Sequence, residues 1–209
     1  MNKDYIKNII FDLGGVIINL DTQKTASEMK NLGFDDFEKS YSLLNQIDLF
    51  DLLEKGLITP EQFRMEIRKH ISKSVSDAQI DEAWSAMLLD FPKDRIKLIQ
   101  YVKRKYRIFL LSNTNKIHFD KYNSDFNAVY GFSFNTLFEK AYYSFEIGHR
   151  KPDLDIYMHV LKHSNLIPEE TLFIDDSEAN IKTAKLLGIQ TLWIDLKNGE
   201  DVVKKLVGF

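Results

Sequence analysis

Acidic, amide and hydroxyl side chains stand directly after short apolar runs of this sequence. Asp12 follows Asn8-Ile9-Ile10-Phe11, Ser112-Asn113 follows a second run, and Asp175-Asp176 follows a third. Several carboxylates in one place repel each other unless a cation joins them. Hard oxygen ligands suit Mg²⁺, which takes one or two carboxylates together with water and phosphate oxygens. If the three runs are neighbours, these residues predict a magnesium site.

A basic loop can supply the matching positive charge. Lys151 lies within Gly148-His149-Arg150-Lys151-Pro152-Asp153, ahead of a predicted helix. An ammonium group and the Ser112 hydroxyl beside a bound metal would complement a dianionic phosphoryl group. The residue types therefore favour phosphoryl chemistry.

The elements that must position these residues are strands and helices in alternation. The apolar runs are too short for independent helices and have the composition of strands buried on both faces. From Pro92 onward the pattern predicts a helix at 93–105, strands at 107–111, 171–174 and 191–194, a helix after Pro152, one that stops at Gly188, and a short final helix. This alternation predicts an α/β fold with a doubly wound, Rossmann-like parallel sheet. Ligands bind such sheets at the carboxyl ends of the strands, where Asp12 would point.

A long helical segment separates the first two predicted strands. Residues 21 to about 89 have little strand character, and Thr59 and Ser76 each begin a helix with a capping-box pattern. The segment is far longer than a normal crossover, which indicates an inserted subdomain. We therefore predict a Rossmann-like catalytic core at 1–18 and 92–209, and a helical insert at 19–91. Trp84 and Met87 are assigned to core packing within that insert.

Bulk composition excludes other classes of function. The chain has 209 residues, 44% hydrophobic residues, a net charge of −3 and no cysteine. This charge gives no reason to expect nucleic acid or a membrane surface as a partner. No apolar run is long enough to span a bilayer. We expect a cytoplasmic protein, either a monomer or a homodimer, whose partner is a small molecule.

Four motifs in order resemble those of a known family. They are Phe-Asp-Leu-Gly-Gly-Val (11–16), Leu-Ser-Asn-Thr-Asn (111–115), Arg-Lys-Pro-Asp (150–153) and Phe-Ile-Asp-Asp-Ser (173–177). They are similar to the motifs of haloacid-dehalogenase-like hydrolases, which are mostly Mg²⁺-dependent phosphatases with a nucleophilic aspartate. The resemblance covers nearly the whole chain, and the helical insert resembles the family's small helical cap. The Asp-Leu-Gly-Gly form is most similar to a subgroup that includes bacterial phosphatases of α-glucose 1-phosphate.

The resemblance implies a role for each motif residue. Asp12 would attack phosphorus and form an aspartyl phosphate, with Ser112 and Lys151 as further catalytic residues. The implied Mg²⁺ ligands are Asp12, the carbonyl of Gly14 and Asp176, with Asp175 a direct or water-mediated partner. The implied phosphoryl contacts are Asp12, Ser112, the amide of Asn113, and Lys151. The implied substrate is a small phosphorylated metabolite such as a sugar phosphate.

Gly14 departs from the family pattern. Most of these phosphatases carry a second aspartate two residues after the nucleophile, which protonates the leaving oxygen and later activates water. Three explanations stay open: a substrate with a more acidic leaving oxygen, a proton from water or from the helical insert, or a catalytically weak regulatory protein that binds Mg²⁺ and phosphate. The same absence argues against a phosphomutase, and paired Asp175-Asp176 argues against a dehalogenase, which needs no Mg²⁺.

Other polar residues near the motifs have less specific expectations. His149 and Arg150 are expected in surface salt bridges, and His118 is expected as a plain surface histidine. Asn180 could support the metal site or lie on a solvated helix face. The aromatic stretch at 126–145 could belong to the core or to an interface.

Overall fold

A five-stranded parallel sheet forms the centre of the computed structural model, which describes residues 5–35, 37, 48–206 and 209. The strands are β1 (Asn8–Phe11), β2 (Arg107–Ser112), β3 (Lys140–Tyr143), β4 (Thr171–Asp175) and β5 (Gln190–Trp193). Their order across the sheet is β3-β2-β1-β4-β5, so the first strand lies in the middle. Phe11 pairs with Leu110 on one side and Ile174 on the other. The predicted α/β, doubly wound parallel fold is confirmed.

Helices cover both faces of the sheet and form the segment after β1. They are α1 (Thr22–Asn31), α2 (Leu49–Glu54), α3 (Pro60–Arg68), α4 (Asp77–Ser85), α5 (Lys93–Val102), α6 (Lys116–Tyr130), α7 (Ser144–Ile147), α8 (Leu154–His163), α9 (Glu178–Leu186) and α10 (Val202–Lys205). Both predicted capping boxes form at the start of α3 and α4. Part of the predicted helical block, at 36 and 38–47, lies outside the described residues.

Alternate residues of the strands build two separate hydrophobic layers. In β1, Ile9 and Phe11 join the layer under α5, α6 and α10, whereas Ile10 joins the layer under α8 and α9. Successive side chains of a strand point to opposite faces, so a strand covered by helices on both sides must be apolar at every position. This explains the unbroken apolar runs that identified the strands.

The stretch between α6 and α8 contains elements that the sequence did not indicate. Strand β3 pairs with β2 and, among the described strands, lies at the edge of the sheet. Helix α6 begins where Asn115 Oδ1 accepts a hydrogen bond from the backbone N–H of His118 at 3.0 Å. Phe126 and Phe134 are fully buried, so the aromatic stretch belongs to the core of the single chain. The predicted helix at 93–105 is shorter and ends at Val102.

The helical segment after β1 has a hydrophobic cluster of its own. Its buried members run from Met29 to Trp84, and Ile117 of α6 joins them from the sheet side. Across the part of the chain that the structure describes, no helix has the length and apolar character needed to cross a membrane.

Candidate active site

The carboxyl ends of β1, β2 and β4 meet at one edge of the sheet. The carboxylates of Asp12, Asp175 and Asp176 each offer an oxygen within 4.8 Å of the others. Asp12 is held in place through its backbone N–H, which donates to the carbonyl of Ile174 at 2.9 Å. The sheet order therefore brings together the acidic residues that lie more than 160 positions apart in sequence.

Lys151 occupies the centre of this acidic cluster. Its Nζ donates to Asp12 Oδ1 at 2.5 Å, to Asp175 Oδ2 at 2.8 Å and to the carbonyl of Leu111 at 2.8 Å. The residue is only 2% exposed. A buried ammonium is stable only when its donors are paired, and here all three protons have acceptors. Its two carboxylate partners raise the pKa of Lys151 above its ordinary value against the effect of burial, so it stays charged.

Two side-chain amides fix the frame around that lysine. Asn113 bonds to the peptide of Lys151 in both directions, since its Nδ2 donates to the carbonyl and its Oδ1 accepts from the N–H, each at 2.8 Å. Asn180 Nδ2 donates to both oxygens of Asp175 at 2.9 and 3.1 Å. Asn180 therefore supports the acidic cluster. The Asn113 side chain holds the lysine loop, a role that its position in the motif did not reveal.

Burial and mutual repulsion disturb the acidic residues. The pKa of Asp12 is raised to about 7. Burial is the largest cause, the charges of Asp175 and Asp176 act in the same direction, and Lys151 opposes them. Burial and the charge of Asp175 also raise the pKa of Asp176. A divalent cation among these oxygens would relieve the repulsion, and carboxylate oxygens are the ligands that Mg²⁺ prefers. The donor set therefore fits a magnesium ion.

The backbone after β1 comes close to this cluster because it carries two glycines. Gly15 has a φ of 72°, and a Cβ there would lie 3.0 Å from Asp176 Oδ2 and 2.5 Å from Leu196 Cδ1. A side chain at this position would thus collide with the walls of the site.

The loop after β2 places the remaining predicted residues at the mouth of a cavity. Ser112 is 2% exposed. Ser144 fixes the backbone two residues further on, because its Oγ accepts from the Thr114 N–H at 3.0 Å and donates to the Thr114 carbonyl at 2.9 Å. The cavity has a volume of about 470 Å³, and Gly14, Ser112 and Asn113 line one end of it. Two of the predicted phosphoryl-binding residues, Ser112 and Asn113, therefore line a space large enough for a small metabolite.

The helical segment forms the other wall of the cavity. Its lining is largely aromatic and aliphatic: Phe50 stacks on Trp84 and Trp84 on His118, with ring centroids 5.2 Å apart in both pairs. Glu54 and Trp84 bring polar atoms to this wall. Trp84 therefore lines the cavity as well as packing in the core, which helical periodicity could not distinguish.

The prediction for His118 is wrong. The residue is only 8% exposed and its Nε2 lies 3.1 Å from the carbonyl of Trp84. Burial lowers the pKa of His118 to about 4, so the ring is neutral and Nε2 donates. Its position in the first turn of α6 looked solvated because the covering residue, Trp84, comes from a different part of the chain.

Arg150 makes ion pairs, as predicted, but across the cavity rim rather than on an open surface. Its Nη1 lies 2.9 Å from Asp51 Oδ1 and its Nη2 lies 3.0 Å from Glu54 Oε2, both on α2. His149 lies 3.9 Å from Asp155 and is half exposed. The loop that carries Lys151 is thus attached to the helical segment through the neighbouring arginine.

Comparison with known proteins decides the family. The model of haloacid dehalogenase-like hydrolases matches residues 6–188, which is most of the chain. The chain belongs to this family of hydrolases. The resemblance drawn from the four motifs is therefore confirmed at family level, while the narrower likeness to α-glucose-1-phosphate phosphatases stays a prediction.

Relatives within the haloacid dehalogenase-like hydrolases match over nearly the full length. The chain is 32% identical over 196 residues to a D-ribitol-5-phosphate phosphatase of Bacteroides thetaiotaomicron, covering 94% of each. A family enzyme from B. thetaiotaomicron, solved with magnesium and inorganic phosphate, superposes with a TM-score of 0.89 at 41% identity, over 96% of this chain and 99% of that one. A family hydrolase of Porphyromonas gingivalis superposes with a TM-score of 0.86 at 36% identity, over 98% and 99%.

Proposed function

We propose that the protein is a Mg²⁺-dependent phosphatase that hydrolyses the phosphate monoester of a small hydroxylated metabolite, such as a sugar or polyol phosphate. The observation that carries this proposal is the position of Lys151 between Asp12 and Asp175, with Asp176 beside them. The magnesium and phosphate complex of the similar B. thetaiotaomicron enzyme supports the choice of cofactor and the reacting group.

The positions of the residues suggest a separate role for each in metal binding and in the attack on phosphorus. Asp12, the carbonyl of Gly14 and Asp176 would hold Mg²⁺, and Asp175 would act through water while it fixes Lys151. Bound magnesium supplies a positive charge that screens the approach of a carboxylate to an anionic phosphate. Asp12 would attack phosphorus and become an aspartyl phosphate, which water then hydrolyses.

The phosphoryl group would be held by a rigid frame. Lys151 can exchange its contact with Asp12 for a phosphoryl oxygen as the carboxylate is consumed, because both ligands are anionic acceptors. Ser112 and the backbone N–H of Asn113 would contact the remaining oxygens from the end of β2. Phosphoryl transfer depends mostly on positioning and charge, which this preformed frame provides.

The cavity wall favours a substrate that carries hydroxyl groups. Trp84 lines the cavity, and within the described part of the chain its buried Nε1 has no hydrogen-bond partner. An unpaired buried donor costs about 1–3 kcal/mol, which a ligand oxygen can recover and a hydrocarbon chain cannot. The polyol phosphate named for the similar B. thetaiotaomicron phosphatase has such oxygens.

A screen of phosphorylated metabolites tests the proposal. Phosphate release would be measured from ribitol 5-phosphate, glucose 1-phosphate and an isoprenyl monophosphate, with Mg²⁺ and with chelator, beside the Asp12→Asn variant. We expect release from the hydroxylated esters only, dependent on Mg²⁺ and abolished in the variant. Mg²⁺ and phosphate binding without turnover would instead support the catalytically weak regulatory protein.

The helical insert at 19–91 would act as the cap that selects the substrate. It supplies Phe50, Glu54 and Trp84 to the wall that faces the strand ends. Exchanging Phe50 or Trp84 should therefore change which ester is hydrolysed and leave the phosphoryl chemistry in place.

A further inference from the structure

Position 14, two residues after the nucleophile Asp12, carries no acid. Gly14 has no side chain, and a Cβ there would lie 2.8 Å from Leu20 Cδ1 and 3.9 Å from Asp12 Oδ2. Leu20 thus occupies the position into which a longer residue at 14 would extend. A proton for the leaving oxygen of an ordinary sugar or polyol phosphate therefore has to come from water or from another group at the cavity.

Glu54 is the one carboxylic acid among the described residues that line the cavity. It is the last residue of α2, and Gly14 and Ser112 line the same cavity. Two titratable rings also line the cavity. His118 donates its Nε2 proton to the Trp84 carbonyl and is neutral, and burial raises the pKa of Tyr122 well above its ordinary value, so neither ring is a suitable acid. The choice of a proton donor therefore falls on Glu54.

Contacts between α2 and the lysine loop hold this carboxyl in place. Arg150 lies against Asp51 and Glu54, and Lys55 pairs with Asp51 at 2.9 Å and with Asp153 at 3.6 Å. Gly56 follows with a φ of 64°, and a Cβ there would lie only 2.2 Å from the carbonyl oxygen of Phe145. Helix α2 is therefore fixed close to the strand ends by ion pairs and by direct contact of main chains.

The carboxyl of Glu54 forms an ion pair with Arg150, whose Nη2 lies 3.0 Å from Glu54 Oε2. Its Oε2 is buried, and although the Arg150 guanidinium is near, no described group forms an aligned hydrogen bond with this oxygen. Burial raises the pKa of Glu54, Asp51 raises it further, and Arg150 and Lys151 oppose the shift. A carboxyl in this setting keeps its proton to a higher pH than a solvated glutamate.

We propose that Glu54 protonates the leaving oxygen of the substrate and then serves as the base that activates water. In the first step the bond from Asp12 to phosphorus forms, the ester P–O bond breaks, and the leaving oxygen takes the Glu54 proton. In the second step water gives its proton to Glu54 as its oxygen attacks phosphorus, which breaks the bond to Asp12. The acid is thereby regenerated and phosphate leaves. This inference rests on the proposed phosphatase function.

The dependence on the leaving group tests this role. The Glu54→Gln variant would be compared with wild type on ribitol 5-phosphate, whose alkoxide needs a proton, and on p-nitrophenyl phosphate, whose phenolate does not. We expect kcat/KM to fall about 10²- to 10⁴-fold for the first ester and to change little for the second. Hydrolysis of the aspartyl phosphate loses its base in the variant and should become slow. With p-nitrophenyl phosphate, the variant should therefore release a burst of p-nitrophenol, and the phosphorylated enzyme should be visible by mass spectrometry.

The controls separate this role from a structural one. Asp51→Asn weakens the attachment of Arg150 to α2 without removing the acid, so it should lower kcat/KM by the same factor for both esters. Should Glu54→Gln prove unfolded by circular dichroism, Glu54→Ala with added formate replaces it, and formate should restore hydrolysis of ribitol 5-phosphate selectively. An equal loss on both esters, no loss on either, or no selective effect of formate overturns the inference. If wild type shows no Mg²⁺-dependent hydrolysis of any ester, the proposed function fails instead.

Discussion

The edge of the sheet and the facing wall of the cavity differ in how their polar atoms are satisfied. At the edge, Lys151 has an acceptor for each proton, and Asp175 accepts from Lys151, Asn180 and the N–H of Ser177. On the wall, among the residues described, Nε1 of Trp84 has no partner and Glu54 Oε2 has no aligned one. Lys151 and Asp175 are thus fully paired within the protein, whereas these two atoms of the wall are not. This difference is consistent with the proposal that the sheet edge holds the phosphoryl group and that the helical insert contacts the rest of the substrate.

Replacing Lys151 by methionine should have the largest effect. This substitution tests how far the sheet edge depends on the pairing of its own charged groups. Asp12 and Asp175 would keep buried carboxylates without their counter-charge, and breaking a buried pair costs about 3–5 kcal/mol. We expect that loss in the free energy of unfolding, measured with urea in metal-free buffer, and no phosphatase activity. Lys162→Met, at an exposed position of α8, is the matched control. A loss no larger than that of the control would show that the edge is not stabilised in this way.

The next largest effect is expected at His118, which lies in the first turn of α6 and stacks on Trp84 of the cavity wall. Its pKa is about 4 in the folded protein and 6.5 when exposed, so the unfolded state binds more protons between these values. The free energy of unfolding should therefore fall as the pH drops from 6.5 towards 4. The loss is up to about 3 kcal/mol, because the unfolded state binds one more proton than the folded state. Urea unfolding across this range should show a weaker pH dependence in His118→Gln than in wild type. Parallel curves for the two proteins would contradict a buried neutral ring.

Replacing Asp176 by asparagine should weaken Mg²⁺ binding without disturbing Lys151. Because ligand charge sets the affinity of such sites, we expect the dissociation constant to rise at least about tenfold. Isothermal titration with MgCl₂ would measure it, with Asp155→Asn as a control that removes an exposed acid from α8. Unchanged binding in Asp176→Asn would remove this residue from the metal site.

The smallest effect is expected at the wall. Trp84→Phe removes the Nε1 donor and keeps an aromatic ring against Phe50 and His118. One neutral hydrogen bond contributes about 0.5–1.5 kcal/mol, so KM for a hydroxylated ester should rise about 2- to 10-fold. KM for p-nitrophenyl phosphate should stay the same. A rise for both esters would indicate that the substitution disturbs the cavity as a whole.

The strand-end residues were predictable because the sequence itself encodes their position. An apolar run that ends in Asp12, Ser112 or Asp175 specifies both a buried strand and what lies at its carboxyl end, and the parallel sheet then gathers the three. The narrow specificity, the division at 19–91, the cytoplasmic location and the choice between monomer and homodimer stay predictions.

What the sequence did not reveal depends on contacts between distant segments. Strand β3 is only four residues long, and its sequence resembles the aromatic stretch around it. The hydrophobic pattern of the sequence therefore did not distinguish it as a strand. His118 is buried only because Trp84 covers it. The pairing of Arg150 with α2 joins residues about a hundred positions apart, which no local pattern records.

The close approach at Gly56 has a consequence for how such an enzyme diversifies. One methyl group there would have to push the main chain of α2 away from the carbonyl of Phe145. Phe50 and Glu54 would travel with that helix, so the room for a ligand would be remodelled while the nucleophile and its lysine stayed where they are. A substitution at position 56 can thus change the preference between substrates from outside the cavity. Relatives with a larger residue at this position are therefore expected to prefer different phosphorylated metabolites.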